Sequence, residues 1–312
     1  MILPAKVRRF VTGCLIVVAA AIVLIAVTHF PYDVDKPLSA EELAKSRQYY
    51  AEAYQKGTPA VDVTASEYDT KYLKIGTETA IGAHIEAQVS DFASKYGLGK
   101  GAVLDIGSGR GYLQDVVENY TGLDISSNVR RFYHKKFELG SATAMPFPDN
   151  SFDGGWSIWV LEHVPNPEQA LLEIRRVMKN NAVFLMDPAW NCNPWAAEGY
   201  RERPYSDFDW KGKLIKASIP VRTSWAFRGS ARIPNRILRG VASWGGPTRL
   251  HYRLLHPNYK DYWEADSDAV NSIDRHEMML WFRSRGDECL NCEGLAGSPL
   301  MKESALIIRV HK

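Results

Sequence analysis

The chain has 312 residues, of which 46% are hydrophobic and 24% are charged, so it is large enough to bury the core of one sizeable domain. This composition excludes a disordered or collagen-like protein. The net charge of +2 does not by itself indicate nucleic-acid binding, so only local clusters of charge are informative.

A long uncharged segment lies near the N-terminus. The sequence FVTGCLIVVAAAIVLIAVT, residues 10–28, holds 19 residues without a charge. As a helix it would rise about 28 Å, close to the thickness of the hydrocarbon core of a bilayer. It predicts a membrane anchor within residues 1–31. The alternative is a cleaved signal peptide, although this apolar run is longer than usual and no good cleavage site follows it.

The charges beside this segment bear on its orientation. Lys6, Arg8 and Arg9 precede it, whereas Asp33 and Asp35 follow it. The positive-inside rule favours a cytoplasmic N-terminus and an exported main domain. We expect a single-pass membrane protein. The side occupied by the main domain stays open, because an exported domain would lie away from the cytosolic pool of the cofactor inferred below.

Four cysteines are present: Cys14, Cys192, Cys289 and Cys292. The last two form a single C-x-x-C, CLNC. A zinc site needs four ligands and no second pair is present, so we predict two ordinary thiols and no metal site.

Two helices are predicted in residues 32–101. LSAEELAKSRQYYAEAYQKG begins with Ser39 and Glu42 at capping-box spacing and ends at Gly57. TETAIGAHIEAQVSDFASKYG ends at Gly97, and its apolar residues recur at helical spacing: Ile81, Ile85, Val89 and Phe92. These residues form a helical N-terminal extension to whatever begins at residue 102.

Strand-like and helix-like segments alternate over residues 102–189. The strands are AVLDIG, TGLDIS, one within SFDGGWSIWVLEHV, and AVFLMDPAW. GYLQDVVENY is helix-like, and so is NPEQALLEIRRVMKN, in which Asn166 is the N-cap and Pro167 takes the first helical position. This alternation predicts a parallel sheet with crossover helices.

Residues 261–312 return to the same pattern. DRHEMMLWFRSRG has Asp274 and Glu277 at capping spacing and stops at Gly286, and ESALIIRVHK is a terminal strand. The sheet is therefore expected to close at the C-terminus.

Residues 190–260 do not fit this alternation and are predicted to be an insertion. From 200 to 260 there are thirteen Lys or Arg residues and three acids, interleaved with aromatic residues. Such a segment could lie on an anionic membrane surface, cover an anionic substrate as a lid, or be an ordinary solvated surface. Nothing in it matches a nucleic-acid recognition module, so a nucleic-acid partner is not expected.

The stretch VLDIGSGRG, residues 103–111, sets an acid and three glycines at the tip of the first strand. A glycine turn at this place lets backbone approach a ligand closely. The dinucleotide spacing G-x-G-x-x-G would require glycine at position 112, where the chain has Tyr112. The glycine spacing therefore makes a nicotinamide oxidoreductase a weak candidate for the function of the chain.

This stretch resembles motif I of the class I S-adenosylmethionine-dependent methyltransferases. The similarity continues through TGLDIS, ATAMPFPDNSFD, WVLEHVPNPEQALLEIRRVMK and AVFLMD, in the order typical of the type 11 methyltransferase group. It covers residues 102–188 closely, and 261–312 only by secondary-structure pattern. The resemblance implies a Rossmann-like, doubly wound α/β fold with a mostly parallel seven-stranded sheet and with S-adenosyl-L-methionine as cofactor.

The resemblance also implies which residues bind that cofactor. Asp105 would meet its amino group and Asp124 its ribose hydroxyls, because carboxylates accept strong hydrogen bonds from such donors. For Asp124 the alternative is a plain strand-end cap. The further residues implied at the cofactor are Gly107, Ser108, Gly109, Gly111, Ile125, Ser141 and Ala142.

Two departures from the group are visible. Ser141 replaces an acid that normally accepts from the adenine amino group, at a cost on the order of 1 kcal/mol. The glycine turn and Asp124 are also unusually close, so the helix between them must be short.

Methyl transfer requires alignment of the nucleophile with the methyl group, and a base only where the nucleophile must lose a proton. Glu162 and His163, at the end of the fourth strand, are the candidate catalytic residues. The alternative is that they are family-typical residues that only pack.

The sequence thus predicts a membrane-anchored methyltransferase that acts on a small-molecule, lipid-like or lipid-linked acceptor. The alternative is a non-catalytic scaffold of the same fold that binds a membrane surface or a partner through the insertion. The sequence carries no indication of the oligomeric state.

Overall fold

The computed structural model describes residues 4–29, 39–55, 78–259, 261, 263–292, 294 and 298–312. The segments at 30–38 and 56–77 lie outside the described residues, and so does the helix end predicted at Gly57.

Two helices come first in the chain. α1 spans Ala5–His29 and contains the predicted anchor. No helix within the described ranges has the length and hydropathy needed to cross a membrane. The anchor is therefore not supported and stays a prediction. α2 spans Ala40–Gln55 and begins with the predicted capping box: the Ser39 N–H donates to Glu42 Oε2 (2.8 Å), and the Glu42 N–H donates to Ser39 Oγ (3.3 Å).

The helix predicted to end at Gly97 is interrupted. Residues 78–82 are helical, but His84 adopts φ 53°, and α3 proper spans Ile85–Lys95. The predicted stop is confirmed, because Gly97 takes φ 68°, a left-handed conformation that favours glycine.

One seven-stranded sheet forms the centre of the fold, in the order β3-β2-β1-β4-β5-β9-β8. The first five strands pair in parallel and β9 runs antiparallel to β5 and β8. Their bounds are β1 Ala102–Ile106, β2 Asn119–Asp124, β3 Lys136–Leu139, β4 Phe152–Ile158, β5 Met178–Asp187, β8 Glu288–Cys289 and β9 Leu306–Arg309. The prediction of a mostly parallel, Rossmann-like seven-stranded sheet is confirmed.

Helices cover both faces of this sheet. α4 (Pro167–Val177) and α7 (Arg275–Arg283) pack on one face, where Leu104 and Ile106 of β1 are buried. α3 packs on the other face, where Val103 is buried. The two faces separate in this way because successive strand residues point to opposite sides. The caps predicted for α4 and α7 are confirmed: Asn166 Oδ1 accepts from Gln169 N (3.2 Å), and Asp274 Oδ1 accepts from His276 N (2.8 Å).

The helix predicted in GYLQDVVENY is absent, and this prediction was wrong. Residues 107–118 form turns, because the seven residues from 112 to 118 must both cross the sheet face and enter β2. The space beside the glycine turn is filled instead by Tyr133, whose hydroxyl lies 2.7 Å from Ser108 Oγ and donates to Gly109 O at 2.9 Å.

The predicted insertion contains two helices, α5 (Trp210–Thr223) and α6 (Trp225–Ala242). Strand β6 (Tyr252–Leu254) follows and pairs antiparallel with β7 (Asn271–Ile273) in a separate small sheet. α6 contacts α1, α5 and α7, so the insertion packs on the side of the domain that carries the N-terminal helix.

The polarity of α6 is inverted relative to an ordinary surface helix. Its arginines point toward the domain: Arg236 bonds Asp274 (2.9 Å), Arg239 bonds Glu277 (2.9 Å), and Arg232 pairs with Glu303. The residues it exposes carry no charge, and we call them the outer face of α6: Trp225, Ala226, Ser230, Pro234, Ile237, Leu238, Val241 and Ala242. A basic stretch in the sequence therefore presents an apolar surface.

Cys289 and Cys292 form a disulfide, so the prediction of two ordinary thiols was wrong. Cys289 ends β8, and the turn that follows brings the two Cα atoms to 5.7 Å, within the range that a disulfide can bridge. Cys14 and Cys192 are free.

Candidate functional site

A cavity of about 520 Å³ opens at the carboxyl ends of β1, β2 and β4. This edge of a parallel sheet is where open α/β folds bind ligands. Five of the predicted cofactor residues line it: Gly107, Asp124, Ile125, Ser141 and Ala142. Four others, Asp105, Ser108, Gly109 and Gly111, are not part of its wall.

Asp124 ends β2 and places a buried carboxylate in the cavity wall. Its Oδ2 accepts from Gly109 N and its Oδ1 from Ser126 N, both at 2.9 Å. The carboxylate therefore does cap the strand end, as the alternative reading required, yet each oxygen keeps a second lone pair for a ligand. Burial raises the pKa of Asp124, and the two backbone donors partly oppose this.

The glycine turn adopts the conformation that its composition predicts. Gly107, Gly109 and Gly111 all have φ between 50° and 70°. At Gly107 a Cβ atom would also overlap the side chain of Val160, so any other residue there would displace one wall of the cavity.

Asp105 lies behind the turn, almost fully buried, and its Oδ2 accepts from the Tyr120 hydroxyl at 2.7 Å. Burial raises the pKa of Asp105 to about 7, although the tyrosine hydrogen bond lowers it in part. Asp105 is thus close to the turn but already has a partner on one oxygen.

Ser141 and Ala142 follow β3, the strand next to the one that Asp124 ends, and they line the cavity. The Ser141 Oγ accepts from Thr143 N (3.2 Å) and lies 2.9 Å from Thr143 Oγ1. The hydroxyl that replaces the usual acid is therefore engaged within its own turn.

Glu162 and His163 lie in a short 3₁₀ helix, Leu161–His163, after β4. His163 lines the cavity, whereas Glu162 is fully buried behind it and its Oε1 accepts from Ala189 N (3.1 Å). Burial raises the pKa of Glu162 to about 7. Burial alone would lower the pKa of His163, but the carboxylates of Asp268, Glu162 and Asp266 outweigh it and raise that pKa.

Helix α2 supplies a wall of the cavity through Leu43, Ser46, Arg47 and Tyr50. The Tyr50 hydroxyl donates to Asp268 Oδ2 (2.9 Å), and Asn128 Nδ2 donates to Ala51 O (3.0 Å). These bonds hold the helix over the strand ends.

The sequence alone does not identify several residues of this region. Tyr50 and Arg47 belong to a helix whose pattern predicts only packing against the domain, and no motif marks Tyr133 as a site residue. Asp266 and Asp268 are detectable as a pair of acids two positions apart, just before the apolar residues 269 and 270. Trp159, which lines the cavity, takes φ 53°, a conformation rare for a bulky residue.

Residues 104–186 match the model of a family described as a methyltransferase domain, the type 11 group. Among relatives, a sterol 24-C-methyltransferase of Gibberella zeae is 30% identical over 123 residues, 34% of this chain and 32% of that protein. A demethylmenaquinone methyltransferase of Desulfitobacterium hafniense is 36% identical over 92 residues, 26% and 36% of the two chains. A fatty-acid O-methyltransferase of Mycolicibacterium smegmatis is 26% identical over 190 residues, 51% and 65%. The chain therefore spans less than two thirds of the length of each of these curated relatives.

Among solved structures, a 1,6-didemethyltoxoflavin-N1-methyltransferase of Burkholderia thailandensis covers 89% of this chain and 94% of its own. The TM-score is 0.46 at 13% identity, and that structure contains S-adenosylhomocysteine. A protein of Pyrococcus horikoshii covers 81% of this chain and 97% of its own at 17% identity, with a TM-score of 0.39.

Proposed function

Because residues 104–186 form a class I S-adenosylmethionine-dependent methyltransferase domain of the type 11 group, we propose that the whole protein transfers a methyl group to a small, lipid-like acceptor. The observation that carries this proposal is the position of Asp124, a buried carboxylate at the end of β2 in the wall of the strand-end cavity.

The cavity fits the ribose and adenine parts of the cofactor. Its volume lies in the range of small-molecule sites. The free lone pairs of Asp124 suit a diol, and Ile125, Ala142 and Leu123 offer apolar surface for a flat base. For the methionine part, the backbone of the glycine turn and Asp105 are the groups we propose, together with Ser108, Gly109 and Gly111.

S-Adenosylmethionine supplies a methyl group on a positively charged sulfur, which a nucleophile displaces in line. The protein's own contribution is to position the two reactants and to keep water out. Asp124 fixes the ribose, the glycine turn allows close approach of backbone, and α2 covers the cavity through Tyr50.

His163 is the candidate catalytic residue that can reach an acceptor, because it lines the cavity. Glu162 does not line it, so we propose that Glu162 acts through His163 rather than on the acceptor directly. Their ring nitrogen and carboxylate oxygen are 3.8 Å apart.

The acceptor class is proposed from two lines of support. The relatives named above are described as acting on sterol, demethylmenaquinone and fatty acid. The wall of the cavity includes the apolar side chains of Leu43, Val160 and Val164. Both favour an acceptor with an extended hydrocarbon part.

Association with a membrane is also a proposal. The outer face of α6 is uncharged and carries Trp225 with 86% of its surface exposed, and Trp244 just beyond the helix is 77% exposed. Tryptophan at the edge of an apolar surface is typical of a membrane interface. We propose that this face, rather than the basic charge of the segment, meets the lipid, next to the anchor predicted over residues 10–28.

The side of the membrane is likewise proposed from indirect features. The disulfide between Cys289 and Cys292 is of a kind that persists in oxidising compartments, in agreement with the charge asymmetry around residues 10–28. We propose a single-pass protein. An exported domain would also require a supply of S-adenosylmethionine outside the cytosol.

The test of the cofactor site is calorimetric titration of the protein with S-adenosylhomocysteine. We expect one site, lost in Asp124→Ala and retained in Asp115→Ala, since Asp115 is exposed and pairs with His134 and Lys135 at the surface. Absence of binding to the folded wild-type protein would refute the methyltransferase and leave the scaffold as the better account. Transfer of label from methyl-labelled S-adenosylmethionine to a lipid extract would then identify the acceptor.

A further inference from the structure

Three ligand-bearing side chains converge behind the cavity. Glu162, His163 and Asp266 each place one oxygen or ring nitrogen so that all three atoms lie within 4.8 Å of one another. The His163 Nε2 lies 3.8 Å from Glu162 Oε1. Such separations let one cation contact all three atoms after small side-chain adjustments.

The segments that carry these residues are fixed to each other by backbone. Val270 N donates to Glu162 O (2.9 Å), and Asn271 Nδ2 donates to Leu161 O (2.9 Å) and Val164 O (2.7 Å). The cluster therefore joins the 3₁₀ helix after β4 to the loop before β7, and its geometry does not depend on long flexible side chains.

Asp268 lies on the other side of the histidine. Its Oδ2 accepts from the Tyr50 hydroxyl and lies 3.5 Å from His163 Nδ1, which makes no hydrogen bond among the described residues. A small shift would let this nitrogen donate to the carboxylate, which is the usual surrounding of a metal-binding histidine.

The second, independent observation is that two buried carboxylates each have an oxygen without a hydrogen-bond partner among the described residues. Glu162 has no exposed surface, and its Oε2 has no hydrogen-bond partner among the described residues. Asp268 is also fully buried, and its Oδ1 likewise has no hydrogen-bond partner among the described residues. Within the described part of the chain no Lys or Arg lies within ion-pairing distance of Glu162, Asp266 or Asp268, and the imidazole of His163 is the basic group beside Glu162 and Asp268. Burying several carboxylates around one imidazole is unfavourable unless they are protonated or a further positive charge joins them.

We propose that Glu162, His163 and Asp266 bind one divalent first-row transition-metal ion, with Asp268 orienting His163. Two carboxylates and one imidazole suit Mn²⁺ or Zn²⁺, because the hard oxygens and the nitrogen match the preferences of these ions. The expectation that the chain binds no metal was drawn from the cysteines alone, and this proposal departs from it.

The position of the site suggests its use, and this part rests on the proposed methyltransferase function. His163 belongs to the cavity wall, so an ion bound beside its ring would lie close to the acceptor. If an open coordination position of the ion faces the cavity, it would bind an oxygen of the acceptor and lower the pKa of a hydroxyl. His163 would then bind the metal ion and would not act as the base that deprotonates the acceptor.

The test is titration of the full-length protein with Mn²⁺, in which free Mn²⁺ is measured by electron paramagnetic resonance, and a parallel titration with Zn²⁺ by calorimetry. We expect one ion per chain, bound at least tenfold more weakly by Asp266→Asn and by Glu162→Gln. Glu264→Gln is the matched control, since Glu264 is a partly buried carboxylate two positions away that faces Arg201 instead. It should bind as the wild type does.

Failure of the folded wild type to bind either ion would overturn the site, and so would equal binding by all four proteins. Should one variant fail to fold, the wild-type stoichiometry and the other variant still decide. S-Adenosylhomocysteine is titrated into the same samples: cofactor binding without metal binding refutes only the metal site, and metal binding without cofactor binding refutes only the methyltransferase.

Discussion

The Tyr50 hydroxyl donates a 2.9 Å hydrogen bond to the buried carboxylate of Asp268, and so joins two segments that are 218 positions apart in the chain. Tyr50 lies on the helix that covers the strand-end cavity, and Asp268 lies beside His163 at the back of it. This bond therefore links the cover of the site to its proposed chemistry.

Removing the hydroxyl should loosen the cover. A hydrogen bond to a carboxylate is worth about 2 kcal/mol, so Tyr50→Phe should release S-adenosylhomocysteine at least several-fold faster in stopped-flow displacement. Hydrogen exchange of residues 40–50 should accelerate in the same variant. Tyr205→Phe, at an exposed ring away from the cavity, is the control. Unchanged release would mean that α2 is held by its other contacts.

Cofactor binding should depend on pH through Asp105. Burial raises the pKa of this carboxyl to about 7, so it is mostly protonated at pH 6 and mostly ionised at pH 8. The cationic amino group of the ligand favours the ionised form, so affinity should rise with pH and flatten above 8, by up to about tenfold per unit below pH 7. Calorimetry at four pH values measures this. Asp105→Asn should flatten the profile; a slope that persists in this variant would assign the dependence to Asp124 instead.

The inward arginines of α6 should matter for stability. Arg236 is almost fully buried and bonds both oxygens of Asp274, so Arg236→Ala leaves a buried carboxylate without its partner. The His276 N–H still donates to this carboxylate, but its charged partner is lost, which costs about 3 kcal/mol of unfolding free energy. Arg201→Ala, in a looser pair with Glu264 at 3.9 Å, should cost less than about 1 kcal/mol. Urea unfolding measures the loss of unfolding free energy in both variants. Similar losses would contradict the conclusion that the arginines of α6 point into the domain and stabilise it.

Vesicles should reveal whether the outer face of α6 meets lipid. Brominated phosphatidylcholine should quench the tryptophan fluorescence of the protein, and the double variant Trp225→Phe, Trp244→Phe should lose most of that quenching while it stays bound. Trp263→Phe should keep it. Because the face is uncharged, the quenching should change little between low and high salt. Strong salt dependence, or equal quenching in all variants, would favour the basic residues as the contact.

The disulfide predicts a pattern of thiol labelling. Without reductant, iodoacetamide should spare Cys289 and Cys292, which become reactive after reduction. Mass spectrometry of the peptides distinguishes the sites. Labelling of both cysteines without reductant would show that the bridge does not form.

The parallel strands β1, β2, β4 and β5 and the site at their ends could be predicted because they depend on local patterns. Apolar runs and caps such as Asn166 specify elements through residues that are near each other in sequence. Three features could not be predicted in this way. Tyr133 fills the space where a helix was expected. The arginines of α6 point inward because they pair with acids of other segments, namely Asp274, Glu277 and Glu303. Asp266 lies close to His163 only because the chain folds. Each depends on contacts between distant residues, for which the chain gives no periodic signal.

The wall that α2 contributes has a practical consequence. The methyltransferase match begins at residue 104, yet Leu43, Ser46, Arg47 and Tyr50 close the cavity. A protein trimmed to the matched segment would keep most of β1 to β5 but would lose β8 and β9. It would also lose the cover of the cavity and, with Asp268, the residue that holds this cover. During synthesis, the hydrogen bond between Tyr50 and Asp268 cannot form until residue 268 has left the ribosome. The cavity is therefore completed late, although α2 is synthesised early.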